Sequence, residues 1–242
     1  MTTPSSLFHY GDTFNYTLNG IQHQISLKAN LQIQQKPLED KFLISQKFIL
    51  KYIHDLFEMH SIDYFLVNHS LLGHYVFQGI HIFHPILEIC MNEYHLAKFK
   101  KIKEDIFVDD FHIEEHNHYF ILSSSFFSKV KVKLFIYILY TNPENPQELY
   151  HYISKDKKTH QLYDIYPLQK VPYEEFHVFI PHKIIEVLHN YNFDTNYIEF
   201  KENPEQKREI IEEGKEDTLE EKIQQTLFQP FMFIKNKFFQ QS

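Results

Sequence analysis

The sequence predicts an α/β fold, a mixed sheet flanked by helices, with a β-hairpin added at the N-terminus and a helical extension at the C-terminus. Three stretches carry that expectation. Residues 61–91 read as strand, short helix, strand: Ile62 to Val67 is a brief apolar run, Leu71-Leu72-Gly73 opens a helix-tolerant segment, and residues 80–91 are apolar again with loose alternation. Residues 37–60 set Phe42, Ser45, Ile49, Ile53, Leu56 and Phe57 at helical spacing, with Pro37 near the start where its missing N–H costs little. Residues 129–140, KVKVKLFIYILY, alternate at first and then turn wholly apolar, the profile of a strand running from an exposed edge into a buried centre.

Composition bounds the function. At 242 residues and 43% hydrophobic, the chain suits one domain core with appendages. No apolar run approaches the roughly 20 residues that span a bilayer, so no transmembrane segment is expected. Met1-Thr2-Thr3-Pro4 opens no signal-peptide pattern, and a cytoplasmic location is expected. Cys90 is the only cysteine, which excludes an internal disulfide and favours a reducing compartment. A net charge of −8 argues against nonspecific nucleic-acid binding, which needs a basic footprint. Arg208 is the only arginine, so the side chain best suited to bidentate phosphate recognition is scarce.

The remaining elements follow in chain order. Phe14-x-Tyr16-x-Leu18 and Ile21 to Leu27 flank Asn19-Gly20, the pair preferred in a type I′ turn, and predict a hairpin that packs on a sheet edge or meets a partner. Asn92 caps a helix carrying Leu96, Phe99 and Ile102, with Lys98, Lys100, Lys101 and Lys103 toward its C-terminal half, where cations are favoured. Strands are expected over 110–114 and 118–123. Beyond residue 201 the chain turns acidic and helical, with a capping box at Thr218-x-x-Glu221. Its tail, Phe231-Met232-Phe233-Ile234 and Phe238-Phe239, is aromatic enough to fold back on the body or dock on a protein partner.

The central stretch resembles the LicD/fukutin family of nucleotidyltransferase-fold phosphotransferases. His69-Ser70-Leu71-Leu72-Gly73 matches the family's Gly-Thr-Leu-Leu-Gly, and 83–91, ending in Met91, matches its aspartate-rich strand. Residues 163–197 are similar to its later strand pair, falling on 164–168 and 176–181, and to its last helix, on 184–191, where Asn192 takes the place of the closing glycine and tolerates the same left-handed C-cap conformation. The resemblance implies a nucleotidyltransferase-like domain over 37–202, between an N-terminal hairpin extension (1–36) and a C-terminal extension (203–242). It also places the family's two metal-binding aspartates on Ile86 and Glu88, its basic residue on Val76, and its third carboxylate on Lys133. Mg²⁺ needs oxygen ligands in near-octahedral array. An isoleucine and a lysine in those places leave Glu88 alone, and the site reads as disarmed.

Two functions therefore compete. The first is a catalytically degenerate relative acting as scaffold, accessory subunit or binding module, with no cofactor expected and a protein partner met through the aromatic tail or the N-terminal hairpin. The second is a divergent phosphotransferase moving phosphocholine or a sugar phosphate from a nucleotide-activated donor to a glycan with Mg²⁺. In that case Glu88 is catalytic and Ser70, Gly73 and His84 line the pocket. The histidines add a metal alternative at His84 and Glu88, which share a face if both lie on one strand, and another in His112-x-Glu114-Glu115-His116-x-His118. Nucleophilic catalysis finds no support. Cys90 falls on an apolar strand, Ser123-Ser124-Ser125 lacks a nucleophile elbow, and the five glycines form no phosphate loop.

Overall fold

The computed structural model describes residues 6–18, 21–33, 36–103, 106, 111–124 and 131–200. The expected C-terminal helical extension and its aromatic tail lie outside them. The chain opens with β1 (Ser6–Phe8), β2 (Thr13–Leu18), β3 (Ile21–Ser26) and β4 (Asn30–Ile33), followed by α1 (Asp40–Met59). The centre is β5 (Tyr64–Leu66), α2 (Asn68–Phe77), β6 (Ile86–Asn92), a 3₁₀ turn at Glu93–His95, and α3 (Leu96–Ile102). Next come β7 (Phe111–Glu115), β8 (Tyr119–Ser124), β9 (Val132–Asn142), β10 (Asn145–Ile153) and β11 (Asp156–Gln161). The described part closes with α4 (Leu162–Ile165), β12 (Gln169–Tyr173), β13 (Phe176–Ile180), α5 (Ile184–Asn190) and β14 (Tyr197–Phe200). The result is the mixed α/β architecture expected, with mixed sheets flanked by helices.

Strand β9 is the axis of the main sheet because it is the segment apolar enough to be buried along most of its length. One edge pairs with β6 in parallel, and the other pairs with β8 and then β10, both antiparallel. Strand β5 extends the sheet beyond β6, β7 beyond β8, and β11 beyond β10. Leu87, Ile89 and Met91 stand opposite Leu134, Ile136 and Ile138, so they share one face. Helices α1 and α3 cover that face through their aromatic side chains. Tyr52 stacks on Phe111 at 4.8 Å, and Phe99 lies between Phe57 at 5.6 Å and Phe120 at 4.8 Å.

The N-terminal hairpin forms as expected, with β2 paired to β3, and Phe14 rests 5.8 Å from Phe77 of α2. Strand β4 then pairs in parallel with β14, tying the two ends of the described chain together. Asn192 adopts the left-handed conformation expected after α5, at φ 66°. The Phe193 N–H donates to the Leu188 carbonyl at 3.1 Å and closes that helix end.

Three local expectations need correction. The strand expected over 80–91 begins only at Ile86. Residues 80–85 form a loop in which the His84 N–H donates to the His81 carbonyl at 3.0 Å, and Pro85 has no N–H to offer a ladder. The short helix starts at Asn68 rather than Leu71. Residues 164–168 are not a strand. Asp164 and Ile165 end helix α4, and the partner of β13 is β12. The β10–β11 hairpin went unread because His151 and His160 occupy inward positions where the alternation rule looks for apolar residues.

Because Phe99 is wholly buried between two other rings, Phe99→Ala should lower unfolding free energy by about 3–5 kcal/mol. Urea denaturation followed by circular dichroism checks the value.

Candidate functional site

The parallel register of β6 and β9 sets Ile86 opposite Lys133, Glu88 opposite Phe135 and Cys90 opposite Tyr137. These residues point to the face away from α1 and α3. Glu88 is the buried carboxylate of that face. Its Oε1 accepts from Asn68 Nδ2 at 2.7 Å and from the Tyr137 hydroxyl at 3.1 Å. Its Oε2 accepts from the His69 backbone N–H at 3.1 Å and faces His69 Nδ1 at 3.3 Å. The Glu88 N–H in turn donates to Ser70 Oγ at 2.7 Å.

Helix α2 begins where it does so that three consecutive residues can reach this carboxylate and its backbone. Asn68 sits at φ 48°, a left-handed conformation that asparagine adopts more readily than most residues, and its amide is thereby placed on Glu88. Burial pushes the Glu88 carboxyl up. The His69 hydrogen bond, the nearby imidazoles of His69 and His84 and the Asn68 amide outweigh that cost, so it stays below the usual range and ionised. An ionised carboxylate only accepts, so His69 carries its hydrogen on Nδ1.

Above the carboxylate lie stacked imidazoles. The His69 and His84 rings are 3.7 Å apart and 3° from parallel, with His81 edge-on to both at 5.9 and 5.7 Å. Phe193, just past α5, closes the far side at 5.2 Å from His69. One ligand atom from each of His69, His84 and Glu88 falls within 4.8 Å of the others. His84 Nδ1 is 3.2 Å from the Ile86 carbonyl, the shorter of its two contacts with Ile86. The loop carrying His84 is fixed from two sides. Gln46 Nε2 donates to the His84 carbonyl at 3.0 Å, and Gly73 lies directly beneath His81. A Cβ on Gly73 would fall 2.6 Å from the His81 backbone nitrogen, so only glycine lets the loop settle on α2.

The residues singled out in the sequence thus come together with different roles. Ser70 is buried and spends its hydroxyl on the Glu88 backbone. Gly73 serves close packing. His84 is a loop residue, not a strand residue, and reaches Glu88's neighbourhood by stacking on His69. Val76 is buried in α2, away from solvent. The run from His112 to His118 is divided between β7 and the turn before β8. In it, Glu115 pairs with Lys100 at 2.6 Å and also with Lys103, while His118 stacks on Tyr152 at 4.4 Å. Asp164 pairs with Lys183 at 3.1 Å, and Asp109-Asp110 lie outside the described residues. Sequence patterns did not single out Asn68, His69, Tyr137 and Phe193. His69 had one local signal, its place directly before Ser70, whereas Tyr137 and Phe193 arrive through β9 register and the turn after α5.

A second group of polar rings lies beneath β10 and β11. His151 and His160 stack at 5.3 Å, and His151 Nε2 meets the Tyr191 hydroxyl at 3.2 Å. Asn190 Nδ2 faces His160 Nδ1 at 3.2 Å. Tyr137 connects the two groups, bonding Glu88 by its hydroxyl and lying 5.8 Å from His151.

No protein-family model matches this chain, and no curated protein matches it. No helix among the described residues is long and apolar enough to cross a membrane.

Two outcomes follow. Gly73→Ala should destabilise the protein by about 1–3 kcal/mol despite alanine's better helix propensity, because the clash is with backbone. A calorimetric melting curve checks it. The second concerns acid. Burial lowers His74, His84 and His160 to about 4, and holds His81 and His151 well below their ordinary range. The unfolded chain, with imidazoles near 6.5, binds more protons than the native one below that pH. Stability should be fully present above about pH 6.5 and fall as pH drops toward 4, each histidine adding up to about 1.4 kcal/mol per pH unit. Urea unfolding at pH 7.5, 6 and 5 measures the slope; a flat profile contradicts neutral core histidines.

Proposed function

We propose that this chain is a catalytically silent relative of the LicD/fukutin nucleotidyltransferase-fold phosphotransferases, serving as a binding or accessory module. The observation that carries the reading is the state of Glu88. Both of its oxygens are engaged by protein donors, and its neighbours on the same face are Ile86 and Lys133 where acids would grip Mg²⁺. A carboxylate used this way holds strand to helix. It presents no lone-pair pair to a hydrated ion, and the imidazoles of His69 and His84 stand over it.

The arrangement around it supports the kinship. A strand leads into a short helix whose first turn, at Ser70, bonds the following strand, and that strand runs parallel to a longer one across the same face. The partner is a protein, met through the N-terminal hairpin, where Ile21 is exposed, or through the aromatic tail. The single, buried Cys90 fits a cytoplasmic setting.

Calorimetry with Mg²⁺ and nucleoside triphosphates or CDP-choline should show no binding tighter than about 1 mM. Glu88→Ala should lower stability by about 3–5 kcal/mol, since it leaves buried donors without their acceptor. Micromolar Mg²⁺-dependent nucleotide binding, with Glu88→Ala abolishing activity at an unchanged melting temperature, supports an active phosphotransferase instead.

A further inference from the structure

The stacked histidines over Glu88 have the ingredients of a different metal chemistry from the one the family uses. We infer that His69, His84 and Glu88 form a site for one borderline-soft divalent ion, of which Zn²⁺ is the natural candidate. The three side chains come from three places in the fold: the first turn of α2, the loop before β6, and β6 itself. Two imidazoles with one carboxylate is a donor set that suits Zn²⁺ and leaves a fourth position for water. The same set is wrong for Mg²⁺, which wants oxygen ligands.

One edge of the coordination polyhedron is already in place. In a tetrahedral site with bonds of roughly 2.0–2.1 Å, ligand atoms stand about 3.3–3.4 Å apart. His69 Nδ1 and Glu88 Oε2 are 3.3 Å apart, so an ion can replace the hydrogen between them without moving either residue far. The third ligand atom needs a larger adjustment, since the set closes only to within 4.8 Å. The parallel stack shows what has to change. In-plane lone pairs of two parallel rings cannot meet one ion, so one ring must tilt out of the 3.7 Å stack on binding.

The surroundings are those of a supported ligand set. Asn68 and Tyr137 hold Glu88 Oε1, while Oε2, which accepts from the His69 backbone N–H, has a second lone pair to offer the ion. The Ile86 carbonyl lies 3.2 Å from His84 Nδ1, so Nε2 carries the lone pair. A backbone carbonyl on the second ring nitrogen is the usual orienting partner of a metal-bound histidine. Both His69 and His84 are half-buried, which gives an ion a route in, while Glu88 is enclosed. The site stands whether or not the chain is a relative of the LicD/fukutin proteins, and its test uses a different ion from the nucleotide experiment.

Chelator-stripped full-length protein is titrated with ZnCl₂ by calorimetry in the presence of millimolar Mg²⁺. Saturation at one equivalent is expected, with His69→Ala and His84→Ala each weakening affinity at least about tenfold. His118→Ala should leave it unchanged. Zn-edge X-ray absorption on the wild-type complex supplies a readout that does not depend on the variants folding, and should show two imidazoles with oxygen ligands. Absence of saturable binding at about 100 μM, undiminished affinity in either histidine variant, or a spectrum without two imidazoles overturns the assignment.

Discussion

The acceptance of four hydrogen bonds by one buried carboxylate, that of Glu88, is the interaction on which the centre of this protein depends. Removing an ionised carboxylate from water costs several kcal/mol. Hydrogen bonds to a charged group contribute about 1.5–3 kcal/mol each, enough together to offset that cost. The donors come from the start of α2 and from β9, while the acceptor sits on β6, so the bonds join three elements that are distant in sequence. The Ser70 hydroxyl adds the reciprocal bond, from the Glu88 backbone. Once this junction forms, the direction of α2 is set, and with it the position of Gly73 under the loop that carries His81 and His84.

Around that junction the protein accumulates imidazoles instead of the aliphatic side chains a core usually contains. His69, His81 and His84 cluster over Glu88, and His151 and His160 stack beneath the β10–β11 hairpin, with Tyr137 and Tyr191 between the groups. Imidazoles pack as flat rings yet keep hydrogen-bonding edges, so they fill space and satisfy hydroxyls and carbonyls at once. The consequence is an interior whose cohesion depends on His81, His84, His151 and His160 staying uncharged. It also places nitrogen donors beside one buried carboxylate.

Helix, strand and turn chemistry written in contiguous residues is legible in the order of amino acids. The α1 stripe, the Asn19-Gly20 hairpin signal, the polar-to-apolar gradient of β9 and the left-handed Asn192 each depend on neighbours within a few positions. Legibility fails where a local pattern competes with a distant contact. Residues 80–85 are apolar enough to read as strand, but Pro85 and the close approach to Gly73 hold them in a loop. Residues 164–168 read as extended, and yet Asp164 is drawn into α4, where it pairs with Lys183. His151 and His160 disguise a hairpin because their inward placement is satisfied by Tyr191 and Asn190 from the end of α5.

The candidate site divides along the same line. The order of residues alone determined that Ser70, Gly73 and Glu88 belong to one strand–helix–strand unit, and that Ile86 and Glu88 share a strand face. Side-chain alternation carries that information, because it is a property of a single strand and its register. Only the tertiary structure decided that His69 and His84 stack, that Tyr137 and Phe193 complete the enclosure, and that Glu88 faces inward to protein donors. Those contacts join residues up to 124 positions apart, as between His69 and Phe193, and no periodicity along the chain encodes which distant side chains a sheet and a helix end bring to one point.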